Sequence, residues 1–286
     1  MSGQERKTPS LSMDIKKKTV GGGRTVLRNI SAEFSAGDFV LILGGSGTGK
    51  TMLLRTLTAC TGTVGSVTLN GRDLYSDFAS MRSMIAVVPQ FLNLRPNDTV
   101  RGTLADTAAV RLGRSCSRSE RQRRVEEILR RIGMTEHADK YIGQLSGGQQ
   151  KKVAVADQLI GPSQVLICDE PDSGLDAASR IQQMEMLGSI ARRGKIVMVI
   201  SHEPDDAAVI KGDTRRTLFD KVVVLAKSSR DSAGHLAFAG RTEDALRFFG
   251  VSRLEDIMLE LNPLAEGGRG RSDEFIDKFA ALRGGN

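Results

Sequence analysis

Lys50 and Thr51 close the run Gly44-Gly45-Ser46-Gly47-Thr48-Gly49-Lys50-Thr51. A glycine, four residues and then Gly-Lys-Thr is a pattern suited to gripping phosphate oxygens. Its bare glycines let successive backbone N–H groups converge on an anion. Lys50 is placed to reach the β- and γ-phosphates of a nucleotide, and the Thr51 hydroxyl to ligate magnesium. Such a run arises by chance in about 1% of chains of this length. Its flanks argue against chance, as described below.

A second set of reactive types follows about a hundred residues later. Leu145-Ser146-Gly147-Gly148-Gln149 places a capping serine and two glycines ahead of a helical stretch, Gln150 to Ile160. Such a helix start accepts a phosphate closely. Further on, Val165-Leu166-Ile167-Cys168 ends in Asp169-Glu170. Asp169 is placed to hold magnesium through water, and Glu170 to orient or deprotonate an attacking water.

The elements that must position these groups are readable. Phe39-Val40-Leu41-Ile42-Leu43 is a buried strand leading into the glycine run. Leu53, Leu54 and Leu57 follow it at helical spacing. Val165–Asp169 and Ile196–Ser201 read as two further buried strands. The helix Asp176–Arg193 joins them, capped by Asp176 and closed by Gly194. Residues 11–36 read as a β region, and Ser66–Leu69 as a short strand before the Asn70-Gly71 turn. Residues 91–160 read as a mostly helical insertion. Within it Ser117 and Glu120 form a capping box, and Val125, Ile128, Leu129 and Ile132 form an apolar face. Eight arginines between Arg111 and Arg131 fall mainly on the solvated face. Two strands, Lys221–Lys227 and His235–Gly240, precede the helix Thr242–Phe249. Residues 251–286 read as a polar appendage with helices at Arg253–Leu261 and Asp273–Leu282.

In this order the motifs resemble the ATP-binding cassette (ABC) ATPase family over roughly residues 10–250. The resemblance implies a P-loop NTPase (RecA-like) α/β core with an N-terminal antiparallel β region and a helical subdomain. It also implies the cofactors ATP and Mg2+. It makes Gly44, Gly45, Ser46, Gly47, Thr48, Gly49, Lys50 and Thr51 the phosphate loop. Gln90, in Val87-Val88-Pro89-Gln90, becomes the Q-loop glutamine, a ligand of the metal beside Thr51 and Asp169. Ser146, Gly147, Gly148 and Gln149 become the family signature that covers a partner's nucleotide. Asp176 becomes the D-loop aspartate, and His202 the switch histidine acting with Glu170, Lys50 and Gln90 in hydrolysis. The tail, with Ala245 ahead of Phe248-Phe249-Gly250, is similar to the G subfamily and its bacterial relatives, which are mostly exporters. One departure stands out. Many members stack adenine on an aromatic residue ahead of the phosphate loop, yet no Phe, Tyr or Trp precedes Phe34. The matching position falls within Lys16–Val20.

Composition bounds the reading. At 286 residues and 40% hydrophobic content, the chain supports one α/β domain with a subdomain and a tail. No apolar run approaches the about 18 residues of a membrane span, and Met1–Ser10 carries no hydrophobic signal segment. Cys60, Cys116 and Cys168 lack metal-site spacing and suit a reducing cytosol. The net charge of +7 suits anionic lipid heads or nucleic acid, but no aromatic residue interleaves the arginines of Arg111–Arg131, so no nucleic-acid partner is expected. The expected organisation is a flexible 1–10, a cassette at 11–250 with its helical subdomain at about 91–160, and the appendage 251–286. The expected partners are a membrane permease subunit or domain and a second cassette, in a homodimer or pseudo-dimer at the cytoplasmic face. Two other readings stay open: a non-transport ABC ATPase acting on ribosomes or nucleic acid, and a regulatory module that holds ATP without turnover. The first usually has tandem cassettes or a long coiled-coil insertion, and Glu170 and His202 weigh against the second.

Overall fold

The computed structural model describes residues 8–58, 61–113, 116–201, 208–211 and 214–284. Strand β1 (Ser10–Val20) pairs antiparallel with β2 (Arg24–Ser35) on one side and with β4 (Thr63–Leu69) on the other. Short β5 (Arg72–Asp73) lies beyond β4. Leu11, Met13 and Ile15 alternate inward along β1, as expected of a sheet with one solvated face. A register shift between Ile15 and Lys17 then flips the alternation. Lys18 therefore turns inward, where Nζ donates to Thr61 O at 2.8 Å and Thr63 Oγ1 at 2.9 Å.

The central strands run parallel. β6 (Ile85–Val88), β7 (Val165–Asp169), β8 (Ile196–Ile200) and β3 (Phe39–Gly44) lie side by side. β11 (Lys221–Lys227) is parallel to β3 and antiparallel to β12 (Gly234–Arg241). β12 joins β2 and so links both halves into one ten-stranded sheet, ordered β5-β4-β1-β2-β12-β11-β3-β8-β7-β6. β3 and β8 are buried along their whole length, which is why they read as unbroken apolar runs. A separate hairpin, β9 (Ala208–Lys211) with β10 (Thr214–Thr217), has no counterpart in the sequence reading.

Helices α1 (Lys50–Thr56), α2 (Phe78–Met81), α3 (Val100–Arg111), α4 (Arg118–Arg131), α5 (Gly147–Leu159) and α6 (Ala177–Arg192) follow in chain order. The Ser117 capping box on α4 is present. Two of its arginines are not on the solvated face. Arg124 Nη2 donates to Leu159 O at 2.9 Å, and Arg131 Nη2 to Glu127 at 2.6 Å. Arg124 ties α4 to the end of α5, because a long guanidinium stem packs while its head finds carbonyl oxygens, whereas Arg131 pairs within α4.

Residues 251–284 are not a purely polar appendage. They form α8 (Leu254–Leu261) and α9 (Ser272–Gly284) after α7 (Thr242–Phe249). α9 buries Phe275, Ile276 and Phe279. The Phe275 ring lies 4.6 Å from that of Phe249, and the Phe279 ring 5.3 Å from that of Phe238. Buried Glu260 pairs with Arg269 and, at 2.7 Å, with Arg271. Asp273 accepts hydrogen bonds from Ser228 and Ser229. Burial opposes its charge, but the serine hydrogen bonds and Arg230 outweigh it and hold the carboxyl at about 2. The tail is thus stapled to the end of β11.

Candidate active site

β3 ends at Gly44 and the chain curls back on itself. The Thr48 hydroxyl donates to Gly45 O at 2.9 Å, which closes the turn. Gly49 has a φ of +92°, in the region that side chains avoid. A Cβ there would lie 2.6 Å from Leu27 Cδ2, so β2 presses directly on the loop. Lys50 Nζ donates to the carbonyl oxygens of Gly44 at 2.6 Å and Gly45 at 3.1 Å. Its ammonium therefore sits over the loop. Burial lowers its pKa, while the charges of Glu170 and Asp169 pull the other way. α1 starts at Lys50 with no side-chain cap at Gly49. Its first N–H groups thus receive no side-chain cap from Gly49.

The acidic side of the site comes from β7, held between β6 and β8. Asp169 ends that strand and accepts from the Thr51 hydroxyl at 3.3 Å. Burial raises the Asp169 pKa against this hydrogen bond and the charge of Lys50. Glu170 follows with a φ of +50°, unusual for a residue with a side chain. Such strain is tolerated where it aims a functional group. Gln90, just past β6, donates from Nε2 to Glu170 Oε2 at 2.6 Å. Lys50, Thr51, Gln90, Asp169 and Glu170 thus converge beside one loop.

A hydroxyl and a carboxylate at hydrogen-bond distance form an oxygen donor pair that suits magnesium. This ion keeps waters and phosphate oxygens in its shell. Among the described residues no group of three or more His, Cys, Asp and Glu could hold a metal. A cation here would depend on the triphosphate for its remaining ligands.

Ser146–Gln149 and Asp176 stand at the starts of two other helices. Ser146 caps α5: its hydroxyl accepts from Gln149 N at 3.3 Å, and Gln149 Oε1 accepts from Ser146 N at 3.0 Å. Gly147 and Gly148 form the first turn of that helix. Asp176 caps α6 by accepting from Ser179 N at 3.0 Å. His202 lies outside the described residues. Phe91 is 81% exposed, whereas Leu92 and Leu94 are half-buried against the core. The loop after Gln90 thus exposes one large apolar side chain, Phe91.

Beside α1 a cavity of about 410 Å3 is lined by Lys18, Val20, Gly21, Met52, Arg55 and Gly62. Met52 and Arg55 escape motif reading, although Met52 directly follows Thr51. The Lys18 ammonium is already hydrogen-bonded, so its stem is not a free platform. Another cavity, about 880 Å3, lies by Gly37 and Asp38 at the opposite end of β3 from the loop.

A strand, phosphate loop and helix in a parallel sheet, with Asp169 and Glu170 on a neighbouring strand, define a P-loop NTPase. The ABC transporter family model matches residues 27–173. An ABC transporter ATP-binding/permease protein of Mycobacterium tuberculosis is 33% identical over 84% of this chain and 26% of its own length. ABC transporter G family member 22 of Arabidopsis thaliana is 32% identical over 82% of this chain and 30% of its own. G family member 1 of the same plant is 31% identical over 96% and 37%. A solved chain of an ABC transporter, described as metal-chelate type and inward-facing, has the same fold. Its TM-score is 0.65 at 19% identity, over 83% of this chain and 85% of that one. The chain belongs to the ABC transporter family, as an ATPase domain like those of the G subfamily. It spans about a third or less of the length of these curated relatives.

Proposed function

We propose that the chain binds and hydrolyses ATP to power an exporter, as one half of a dimer that sandwiches two nucleotides. The observation that carries this reading is the convergence of Gln90, Glu170, Asp169 and Thr51 beside the phosphate loop. Gly44–Thr51 would hold the β- and γ-phosphates, with Lys50 swinging from its carbonyl contacts to the γ-phosphate. Thr51, Asp169 and Gln90 would hold magnesium, whose charge offsets that developing on the phosphate oxygens. Glu170 would orient the attacking water and accept its proton. His202 would contact the γ-phosphate. Ser146–Gln149 and Asp176 would meet the nucleotide bound by the partner chain, because a second helix start adds N–H groups to the same polyphosphate.

Exposed Phe91 next to Gln90 supports docking of a permease at this edge of the helical subdomain. A rigid-body shift driven by ATP would pass through Gln90 to that contact. The domain would then work at the cytoplasmic face of a membrane, with no nucleic acid partner. Among the described residues no helix is long and apolar enough to cross a membrane, so the path for cargo would belong to the permease. The proposed organisation keeps 11–250 as the cassette, with 91–160 as its helical subdomain.

Ser146→Arg tests the shared site. The variant should keep ATP binding in the single chain and lose turnover. Mixed with a Lys50→Ala chain, it should restore activity at one site per dimer. Loss of ATP binding by the Ser146→Arg chain alone would contradict the reading.

A further inference from the structure

Lys151 lies in the second turn of α5, the helix that Ser146 begins, and is buried. Its side chain does not point toward the helix start. Nζ donates to Glu170 O at 3.4 Å, to Ser173 O and, at 3.2 Å, to the Ser173 hydroxyl. It therefore grips the backbone of the turn in which Glu170 takes its φ of +50°. A left-handed, non-glycine residue persists only when its surroundings enforce it. A charged donor on two carbonyls of the turn is such an enforcement.

Between Glu170 and Ser173, the same turn makes a second link. Asp172 is 5% exposed and accepts from the Ser201 hydroxyl, at the end of β8. Its charge and that of Glu170 oppose the effect of burial on Lys151. Lys151 and Arg180 in turn face Asp172. Neither Lys151 nor Asp172 belongs to the phosphate loop, the metal pair or the proposed base. Together they join the helix that starts with Ser146 to the turn that carries Glu170 and to the strand leading to His202.

We infer that Lys151 and Asp172 are positioning residues that make the signature helix and the catalytic turn of one chain a single mechanical unit. The inference rests on the shared-site reading above. Closure of Ser146–Gln149 on the partner's nucleotide would then tilt α5 and, through Lys151, set Glu170 against the chain's own nucleotide. The two ATP sites would be coupled inside each chain as well as across the interface.

The test uses Lys151→Met, Asp172→Asn and the milder Ser201→Ala in the full chain. ATP turnover, ATP binding and melting temperature are measured for each. Turnover should fall about tenfold or more in Lys151→Met and Asp172→Asn, the lower end of what aligning a proton acceptor is worth being larger still. ATP affinity should change by less than about twofold. The wild-type Hill coefficient for ATP should exceed one and drop to about one in both variants. Lys151→Met combined with Asp172→Asn should be no worse than Lys151→Met alone, as for residues acting through one link. Ser201→Ala should lower turnover without lowering the melting temperature, which separates positioning from misfolding. A non-cooperative wild type, or variants with wild-type turnover and cooperativity, would overturn the inference. A parallel sizing run of Glu170→Gln with ATP separates the two ideas. A dimer there with unaffected Lys151→Met and Asp172→Asn sinks the coupling alone; a monomer sinks the shared site and the coupling with it.

Discussion

Phe275→Ala should detach the C-terminal tail from the sheet. The Phe275 ring is 1% exposed and lies 4.6 Å from the Phe249 ring and 5.7 Å from the Phe248 ring. The Arg271 guanidinium sits over it at 4.7 Å. Truncating a buried Phe costs about 3–5 kcal/mol, and a cation–π contact adds about 0.5–1 kcal/mol. A loss of about 4 kcal/mol in a domain of this size lowers the melting temperature by roughly 8 °C or more. The loss is not confined to the tail. A Cβ on Gly45 would lie 2.9 Å from Asn262 Oδ1, so the chain after α8 rests on the phosphate loop. ATP should therefore bind more weakly to Phe275→Ala as well. Differential scanning fluorimetry with and without ATP, together with limited proteolysis of residues 254–284, reads both effects. A melting point within about 2 °C of wild type and a protease-resistant tail would refute the packing argument.

Two other predictions follow from single groups. Burial, with Arg124 and Arg131 nearby, lowers Lys195 to about 8 from 10.5. Between those values the unfolded chain holds more protons than the folded one, so this group makes stability rise with pH there. Below about 8 both states are protonated and the full penalty applies. Denaturant melts from pH 8 to 10 should show that rise in wild type and a flatter profile in Lys195→Met; equal slopes would contradict the burial of a charged amine. Base selectivity should also be modest, because Val20, Met52 and Arg55 line the cavity beside α1 without an aromatic ring. ATP and GTP affinities should differ by less than about tenfold, or about 1.4 kcal/mol. A competition assay giving a preference of about a hundredfold would show that another residue reads adenine.

The phosphate loop, its strand and helix, and the acidic strand were legible because each rests on local pattern. Glycines at fixed offsets, an unbroken apolar run and a capping serine need no partner to be recognised. What escaped depends on distant partners. The turn of Lys18 into the sheet follows from a register shift that its own strand does not announce. Arg124 looks like part of a solvated charge run until the carbonyl at the end of α5 comes within reach. The tail looked polar because it is charge-rich. Its signal was Phe275 and Phe279 at helical spacing, which match the Phe248-Phe249 pair two helices earlier. The hydrogen bond between Gln90 and Glu170 joins residues eighty positions apart, so only the parallel pairing of β6 and β7 reveals it.

The central claim is that Glu170 hydrolyses an ATP held between two chains. Glu170→Gln keeps the side-chain shape and can still receive the Gln90 hydrogen bond, yet it cannot take a proton. Incubated with ATP and magnesium and sized by light scattering, this variant should run as a stable dimer with bound, uncleaved ATP, while wild type returns to monomer as it turns over. A Glu170→Gln chain that stays monomeric with ATP bound, or that hydrolyses ATP at the wild-type rate, would contradict the account.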